Sequence, residues 1–155
     1  MELFEVKVKR ITIEGEQQKV LKESYCIQAV SYTEAETRFA QFMAKQHAED
    51  SFTVLKITCS KFSHLAKAGD DVEPADPFFK VKILSYYQKE GSDRQRSHKF
   101  LALIHAKDPV QAATAGDTLG DELSETKYEV VKIEKTPIAG VIVMTKKSIE
   151  EASEE

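Results

Sequence analysis

Two stretches of the chain, at an offset of 75 to 77 residues, alternate hydrophobic and polar positions in the same way. Residues 4–8 read Phe-Glu-Val-Lys-Val, and residues 79–83 read Phe-Lys-Val-Lys-Ile. A period of two residues is typical of a β-strand that has one buried face. The pattern therefore predicts that each half of the chain begins with a strand.

A polar turn that contains one glycine follows each of these strands. Further apolar stretches then occur near residues 21–29 and 99–106, so each half is predicted to form a β-hairpin. In the first hairpin the apolar positions change phase, to Ile11 and Ile13. This change of phase predicts a β-bulge or a strong twist.

Each hairpin is followed by residues that favour the start of a helix. Ser31 and Glu34 have the spacing of a capping box, in which each side chain bonds to the backbone N–H of the other residue. The second copy has Asp108 followed by Pro109. Aspartate is a favourable N-cap and proline suits the first helical position. One helix is therefore predicted after each hairpin.

The two predicted helices differ in the size of their core-facing residues. These positions recur with helical spacing and are Ala35, Phe39, Phe42 and Met43 in the first helix and Ala112, Gly116, Leu119 and Gly120 in the second. Each glycine lowers helix stability by about 1 kcal/mol relative to alanine. Either the second helix is short and frayed, or another element packs closely against its glycines.

A third predicted strand completes each half, near residues 51–58 and 127–135. The chain is thus predicted to be an α+β protein, a tandem duplication of a β-β-α-β unit with pseudo-twofold symmetry and one helix per repeat. We expect antiparallel sheets with the strand order 2-1-3. Because a unit of about 60 residues buries little apolar surface, the two units are expected to share a common core.

Charge and composition mark the boundaries of the predicted segments. The first repeat is assigned to residues 1–68, and the second repeat, with a final apolar strand, to residues 78–145. Residues 69–77 carry a net charge of −4 and two prolines, which is typical of an acidic linker. Residues 146–155 contain four glutamates and are predicted to be a disordered acidic tail.

The composition excludes several classes of protein. Of the 155 residues, 41% are hydrophobic and 31% are charged, which is compatible with a folded core and a soluble surface. No apolar stretch approaches the roughly 20 residues that a membrane span needs. The N-terminal residues alternate in polarity, unlike a secretory signal. With only two cysteines, the chain is expected to be cytoplasmic and not bound to a membrane.

Residue types that carry catalysis or bind metals do not cluster along the sequence. The four histidines stand singly, and Cys26 and Cys59 have no partner at zinc spacing and lie near strands that are not neighbours. No Gly-x-Ser-x-Gly motif or glycine-rich phosphate loop is found. We therefore expect no catalytic residues, no metal and no cofactor. A weaker alternative is an enzyme with a site between the repeats, near His105, Tyr86 or Asp117.

One local feature indicates binding chemistry. Residues 78–107 hold seven basic and only two acidic side chains, whereas the hairpin of the first copy holds Glu14 and Glu16. A basic hairpin with aromatic residues can follow a phosphate backbone and stack on bases, although an ordinary solvated hairpin has the same composition. The net charge of −4 also lacks the basic excess of a general nucleic-acid binder. The candidate nucleic-acid contacts are Lys80, Lys82, Tyr86, Arg94, Arg96 and Lys99.

The sequence of residues 23–36 resembles the most recognisable segment of an uncharacterised bacterial and phage family, domain of unknown function 4494. The likeness covers roughly residues 3–144 and rests on strand, cap and core positions. The resemblance implies no activity, cofactor or catalytic residue. It implies that the protein works inside a bacterial cell or in one infected by a phage. The other similar segments are residues 52–54, 79–82, 128–130 and 136–138.

Two functions follow as hypotheses. The first is a non-enzymatic interaction or adaptor module, because exposed strand edges on a small sheet can pair with a partner protein or with a second copy of the chain. The alternative is a nucleic-acid-binding accessory protein that uses the basic hairpin 80–99.

Overall fold

The computed structural model describes residues 2–88, 90–91 and 93–143. These residues form an α+β protein with two helices and two sheets of four strands, so the predicted α+β class is confirmed. The tail predicted at residues 146–155 lies outside the described residues. In chain order the elements are β1 (Glu2–Glu14), β2 (Gln17–Ala29), α1 (Tyr32–Gln46), β3 (Ser51–Cys59), β4 (His64–Lys67), β5 (Phe78–Gln88), β6 (Gln95–His105), α2 (Pro109–Leu123), β7 (Tyr128–Lys135) and β8 (Ile138–Ile142).

The described chain divides into two compact units, one with residues 2–60 and 138–143 and the other within residues 61–137. Each unit contains a β-β-α-β segment and a fourth strand. The fourth strand of the first unit is β8, which follows β7, and the fourth strand of the second unit is β4, which follows β3. The units therefore differ from the predicted boundaries, because residues 61–68 and 138–143 join the opposite halves.

The first three strands of each sheet have the expected 2-1-3 order. β1 lies between β2 and β3, and β5 lies between β6 and β7, with antiparallel pairing throughout. The expectation of purely antiparallel sheets was wrong, because β8 runs parallel to β2 and β4 runs parallel to β6. A parallel neighbour must arrive from a distant part of the chain. The local hairpin and cap patterns carry no information about such a strand.

Both helices begin at the predicted caps. The Ser31 hydroxyl accepts a hydrogen bond from the Glu34 N–H at 3.1 Å, and the Asp108 carboxylate accepts one from the Gln111 N–H at 2.8 Å. Pro109 is the first residue of α2. Among the described residues, no helix is long and apolar enough to cross a membrane.

Most of the buried hydrophobic side chains form two clusters, one within each unit. In the first, residues of β1 and β2 pack against Phe39 and Met43 of α1, and in the second, residues of β5 and β6 pack against Ala112 of α2. Each unit therefore has a hydrophobic cluster of its own. The fourth strand contributes the missing apolar surface, since Ile142 packs on the first cluster and Ala66 on the second.

The glycines of α2 are explained by close packing and not by fraying. The helix contains 15 residues, as many as α1. A Cβ atom on Gly120 would lie 2.5 Å from Cδ2 of Tyr128, and one on Gly116 would lie 3.0 Å from Cγ1 of Val81. The sheet therefore approaches the helix more closely than a larger residue would allow.

Part of the acidic segment 69–77 packs on the second unit. The Asp71 carboxylate accepts a hydrogen bond from Nε2 of Gln111 at 3.1 Å, and its other oxygen lies 3.4 Å from Nζ of Lys107. Val72 of the same segment is buried. The acidic charge of this segment is thus used partly in contacts near the start of α2.

The change of apolar phase in β1 moves side chains to the other face of the hairpin. The β1–β2 register is continuous along both strands. The bulge lies instead in β3, where Leu55 is the extra residue opposite Lys7 and Val8. Ile11 and Ile13 therefore leave the side that packs on α1 and lie on the opposite side of the sheet.

Candidate binding surfaces

Strand alternation divides five of the six predicted nucleic-acid contacts between two faces. In each sheet we call the side packed against the helix the helix face and the opposite side the outer face. Arg96 is paired with Tyr87 on the helix side of the second sheet, and Arg94 precedes β6. The structure brings the other four together on the outer face, namely Lys80, Lys82, Tyr86 and Lys99.

Acidic side chains of β7 contact two of these four residues. The Tyr86 hydroxyl donates a hydrogen bond to Oε2 of Glu129 at 3.0 Å, and this bond raises the pKa of Tyr86. Nζ of Lys80 lies 3.2 Å from Oε2 of Glu134, and the hydrogen bond from Lys80 lowers the pKa of Glu134. The positive charge of this face is therefore partly compensated. The sequence pattern missed this because Tyr86 and Glu129 are 43 positions apart.

The outer face of the first sheet carries four lysines that the sequence analysis did not identify. Lys7 is paired with Lys56 of β3, and Lys9 is paired with Lys22 of β2. Lys9 is half-buried and the other three are exposed. Within the described part of the chain, no ion pair involves any of the four. Glu5, the adjacent outer-face residue of β1, is the acid closest to them in register.

Three apolar side chains continue this face toward the hairpin turn. Ile11 is paired with Val20, and Ile13 is the next outer-face residue of β1. Ile13 is 68% exposed, Val20 is 53% exposed and Ile11 is partly buried. Single exposed apolar residues are ordinary, but adjoining ones mark interaction surfaces. We call Ile11, Ile13 and Val20 the apolar tip, and we call Lys7, Lys9, Lys22 and Lys56 the lysine rows.

The sheet edges are less suited to strand addition than the sequence analysis expected. The long edge strands β3 and β7 each contain an extra residue, Leu55 and Val131, where their register with the neighbouring strand shifts. A bulge twists an edge away from the flat form that an added strand needs. The other two edge strands, β4 and β8, contain only four and five residues.

An ion network in the first unit was also missed by the sequence analysis. Nε of Arg10 lies 2.8 Å from Oε1 of Glu23, and Nη1 lies 2.6 Å from Oδ2 of Asp50. The hydrogen bond to Glu23 raises the pKa of Arg10, and the hydrogen bond from Arg10 lowers the pKa of Asp50. The network joins β1, β2 and the segment before β3, so its role is structural. Its members are 13 and 40 positions apart, beyond any local pattern.

The residues of the enzyme alternative are held by separate partners. The His105 ring stacks on Phe78 with a centroid distance of 4.1 Å, and its Nε2 lies 2.9 Å from the backbone oxygen of Asp76. Asp117 is an exposed residue of α2. In residues 2–88, 90–91 and 93–143, no three His, Cys, Asp or Glu side chains are grouped as a metal site requires. Nothing in these contacts joins His105, Tyr86 and Asp117 into one site.

The two thiols lie in opposite environments, and we expect them to react at very different rates. Cys26 is fully buried, and burial raises the pKa of its thiol to about 12. At about pH 8 its thiolate fraction is therefore on the order of 10⁻⁴, whereas Cys59 is exposed. With an aromatic disulfide reagent, one thiol of the folded chain should react at least about a thousandfold faster than the other.

Two variants identify the thiols in this measurement. Cys59→Ser should abolish the fast phase, and Cys26→Ser should leave the fast phase unchanged. In urea both thiols of the native sequence should react together. Equal rates in the folded protein would contradict the buried position of Cys26.

A model of the family described as Domain of unknown function (DUF4494) matches residues 2–144. This match confirms the resemblance that was noted from residues 23–36. Neither the comparison with curated proteins nor the comparison with solved structures found a match.

Proposed function

We propose that this chain, which belongs to the family described as domain of unknown function 4494, is a non-enzymatic interaction or adaptor module that binds a partner protein. The apolar tip is the observation that supports the proposal, because Ile13 and Val20 are mostly exposed and adjoin Ile11 on one face. Full burial of a valine or isoleucine side chain contributes about 1.5–3 kcal/mol. A partner that covers the tip therefore gains most of the binding energy there.

The proposed contact uses the outer face of the β1–β2 hairpin and not a sheet edge. The bulges at Leu55 and Val131 make the long edges poor templates, and the remaining edges are short. Self-association through strand edges is accordingly a less favourable form of the same proposal. Light scattering that shows a monomer at high concentration would exclude it.

Replacing Ile13 and Val20 together by serine should remove the proposed partner without affecting the fold, because both side chains are exposed. The tagged native chain and the Ile13→Ser/Val20→Ser variant are used to isolate partners from the natural host. A stoichiometric protein should copurify with the native chain, bind it again after purification, and bind the variant at least about tenfold more weakly.

The matched control is Val110→Ser, which removes an exposed apolar side chain from the second unit. It should retain the partner, and all variants should melt within about 2 °C of the native chain. If the partner binds the tip variant as well as the native chain, the proposed surface is wrong. If no protein binds stoichiometrically, the adaptor role is wrong.

Nucleic-acid binding by hairpin 80–99 is the second candidate, and one observation favours it. Lys82 is paired with Lys132 on the outer face of the second sheet, and Lys99 lies in the next row. Binding of an oligonucleotide that weakens steeply with salt and is lost in Lys82→Glu/Lys99→Glu would support this function. Glu129 and Glu134 argue against this function, because they bond to Tyr86 and Lys80 and place negative charge on the same face. The residues of the first sheet that correspond to Lys82, Lys132 and Lys99 are also lysines, namely Lys7, Lys56 and Lys22.

We also infer that the two units arose by tandem duplication. Their β-β-α-β segments share one order of strands and helix, and the bulges at Leu55 and Val131 occupy the same place in each segment. The setting proposed for the protein is the cytoplasm of a bacterial cell or of a cell infected by a phage. Two free thiols are compatible with a reducing compartment.

A further inference from the structure

The lysine rows and the apolar tip form one continuous surface. Along β1 the outer face presents Lys7, Lys9, Ile11 and Ile13 in succession. Successive residues on one face of a strand are about 6.6 Å apart, so this surface changes from charged to apolar over about 20 Å. A partner segment that lies along β1 would therefore meet lysines first and then aliphatic side chains.

The lysine rows place like charges directly opposite each other. Lys7 faces Lys56, and Lys9 faces Lys22, across neighbouring antiparallel strands. Such pairs have Cβ atoms about 5 Å apart, and like charges at this spacing destabilise a sheet. No acid within the described residues forms an ion pair with these lysines. Carboxylates supplied by a partner would relieve the repulsion.

We infer that the protein segment bound by this surface is acidic and apolar, with carboxylates on the lysine rows and aliphatic side chains on the apolar tip. This inference rests on the proposed function, since it names the chemistry of the proposed partner. The apolar tip supplies most of the affinity. The lysines supply charge selectivity and faster association, because exposed ion pairs contribute little energy but steer the encounter.

The same surface fits a nucleic acid less well. Bases of single strands stack on aromatic rings, whereas the apolar tip consists of isoleucine and valine only. An acidic peptide matches both the aliphatic tip and the local positive charge.

The experiment measures binding by the anisotropy of fluorescein-labelled probes at low and moderate salt. The main probe is a short peptide of alternating glutamate and leucine. One companion peptide replaces glutamate by lysine, and another replaces leucine by serine. Oligothymidine serves as a polyanion without aliphatic side chains. The native chain should bind the glutamate–leucine peptide at least about tenfold more tightly than each of the three other probes.

Variants of the full chain assign the two parts of the surface. Lys9→Glu/Lys22→Glu should weaken binding of the glutamate–leucine peptide about tenfold and reduce its salt dependence. Ile13→Ser/Val20→Ser should weaken it by at least about tenfold. Lys61→Glu/Lys127→Glu makes the same change of net charge at exposed lysines outside the lysine rows, and it should leave the affinity within about twofold.

Each contrary outcome identifies what is wrong. If the natural partner is lost in Ile13→Ser/Val20→Ser but not in Lys9→Glu/Lys22→Glu, the acidic chemistry is wrong and the proposed function stands. If none of the peptides binds, the inferred chemistry of the partner is also wrong. If oligothymidine binds most tightly and Ile13→Ser/Val20→Ser has no effect on it, the surface is a nucleic-acid interface. That last result would overturn the inference and the proposed function together.

Discussion

Replacing Arg10 by methionine is expected to destabilise the first unit by about 1–2 kcal/mol. Methionine has a similar length but no charge, so Glu23 and Asp50 lose the cation that bonds to both of them. All three side chains are at most 20% exposed, which leaves the two carboxylates poorly solvated. Urea unfolding measures the loss, and hydrogen exchange at the amides of β1 and β2 locates it.

Lys19→Met is the matched control for this substitution. Lys19 lies on the same hairpin and forms an exposed ion pair with Glu14 at 3.8 Å. Exposed pairs contribute about 0–1 kcal/mol, so this variant should unfold close to the native chain. Equal effects of Arg10→Met and Lys19→Met would show that the Arg10 network does not stabilise the unit.

The network also predicts how stability depends on pH. Because the hydrogen bond from Arg10 lowers the pKa of Asp50, the folded state favours the ionised carboxylate. This stabilisation is complete above the ordinary carboxyl pKa of 3.8 and is lost as the pH falls through the lower pKa of the folded state. The difference in melting temperature between the native chain and Asp50→Asn should therefore be largest near neutral pH. A difference that is unchanged down to about pH 2 would contradict the charge-based explanation.

Gly120→Ala is expected to destabilise the second unit by about 1–2 kcal/mol, although alanine favours helix formation. The added Cβ would lie 2.5 Å from Cδ2, 2.6 Å from Cε2 and 3.1 Å from Cγ of Tyr128. The contact includes the base of the ring, so a small rotation of Tyr128 cannot relieve it. The overpacking therefore outweighs the gain in helix propensity, and urea unfolding should show the net loss.

A double-mutant cycle separates the two contributions. In the Tyr128→Ala background the clash is absent, and Gly120→Ala should then stabilise the unit by up to about 1 kcal/mol. Thr118→Ala is the control for an alanine substitution at an exposed position of α2, and it should change stability little in either background. The same sign for Gly120→Ala in both backgrounds would show that Tyr128 is not the cause.

Features whose determinants lie within a few residues of one another were predicted correctly. Ser31 and Asp108 cap the two helices because a cap depends only on the following three residues. The hairpins follow from alternation and short turns, and the order 2-1-3 follows from the expectation that a helix crossover returns the third strand beside the first. The glycines at 116 and 120 left two interpretations open, and only the position of β7 decided between them.

Other features that depend on the pairing of distant strands were predicted wrongly or not at all. No local sequence pattern indicates which strand pairs with β4 or with β8. The sheets were therefore expected to be antiparallel. The basic hairpin was judged from composition, and neither the split of its side chains between two faces nor the acids of β7 could be seen. The lysine rows were missed because Lys7 and Lys56 meet only through the register of β1 and β3.

The amino-acid sequence by itself determined every helix and strand of this protein except β4, since alternation, turns and caps act between residues that are close along the chain. It also determined the α+β class and the family resemblance. The tertiary structure alone decided which strand is the fourth of each sheet, which charged side chains meet across neighbouring strands and where apolar residues stay exposed. These depend on register between residues tens of positions apart, and a shift of one residue would move every side chain of a strand to the other face.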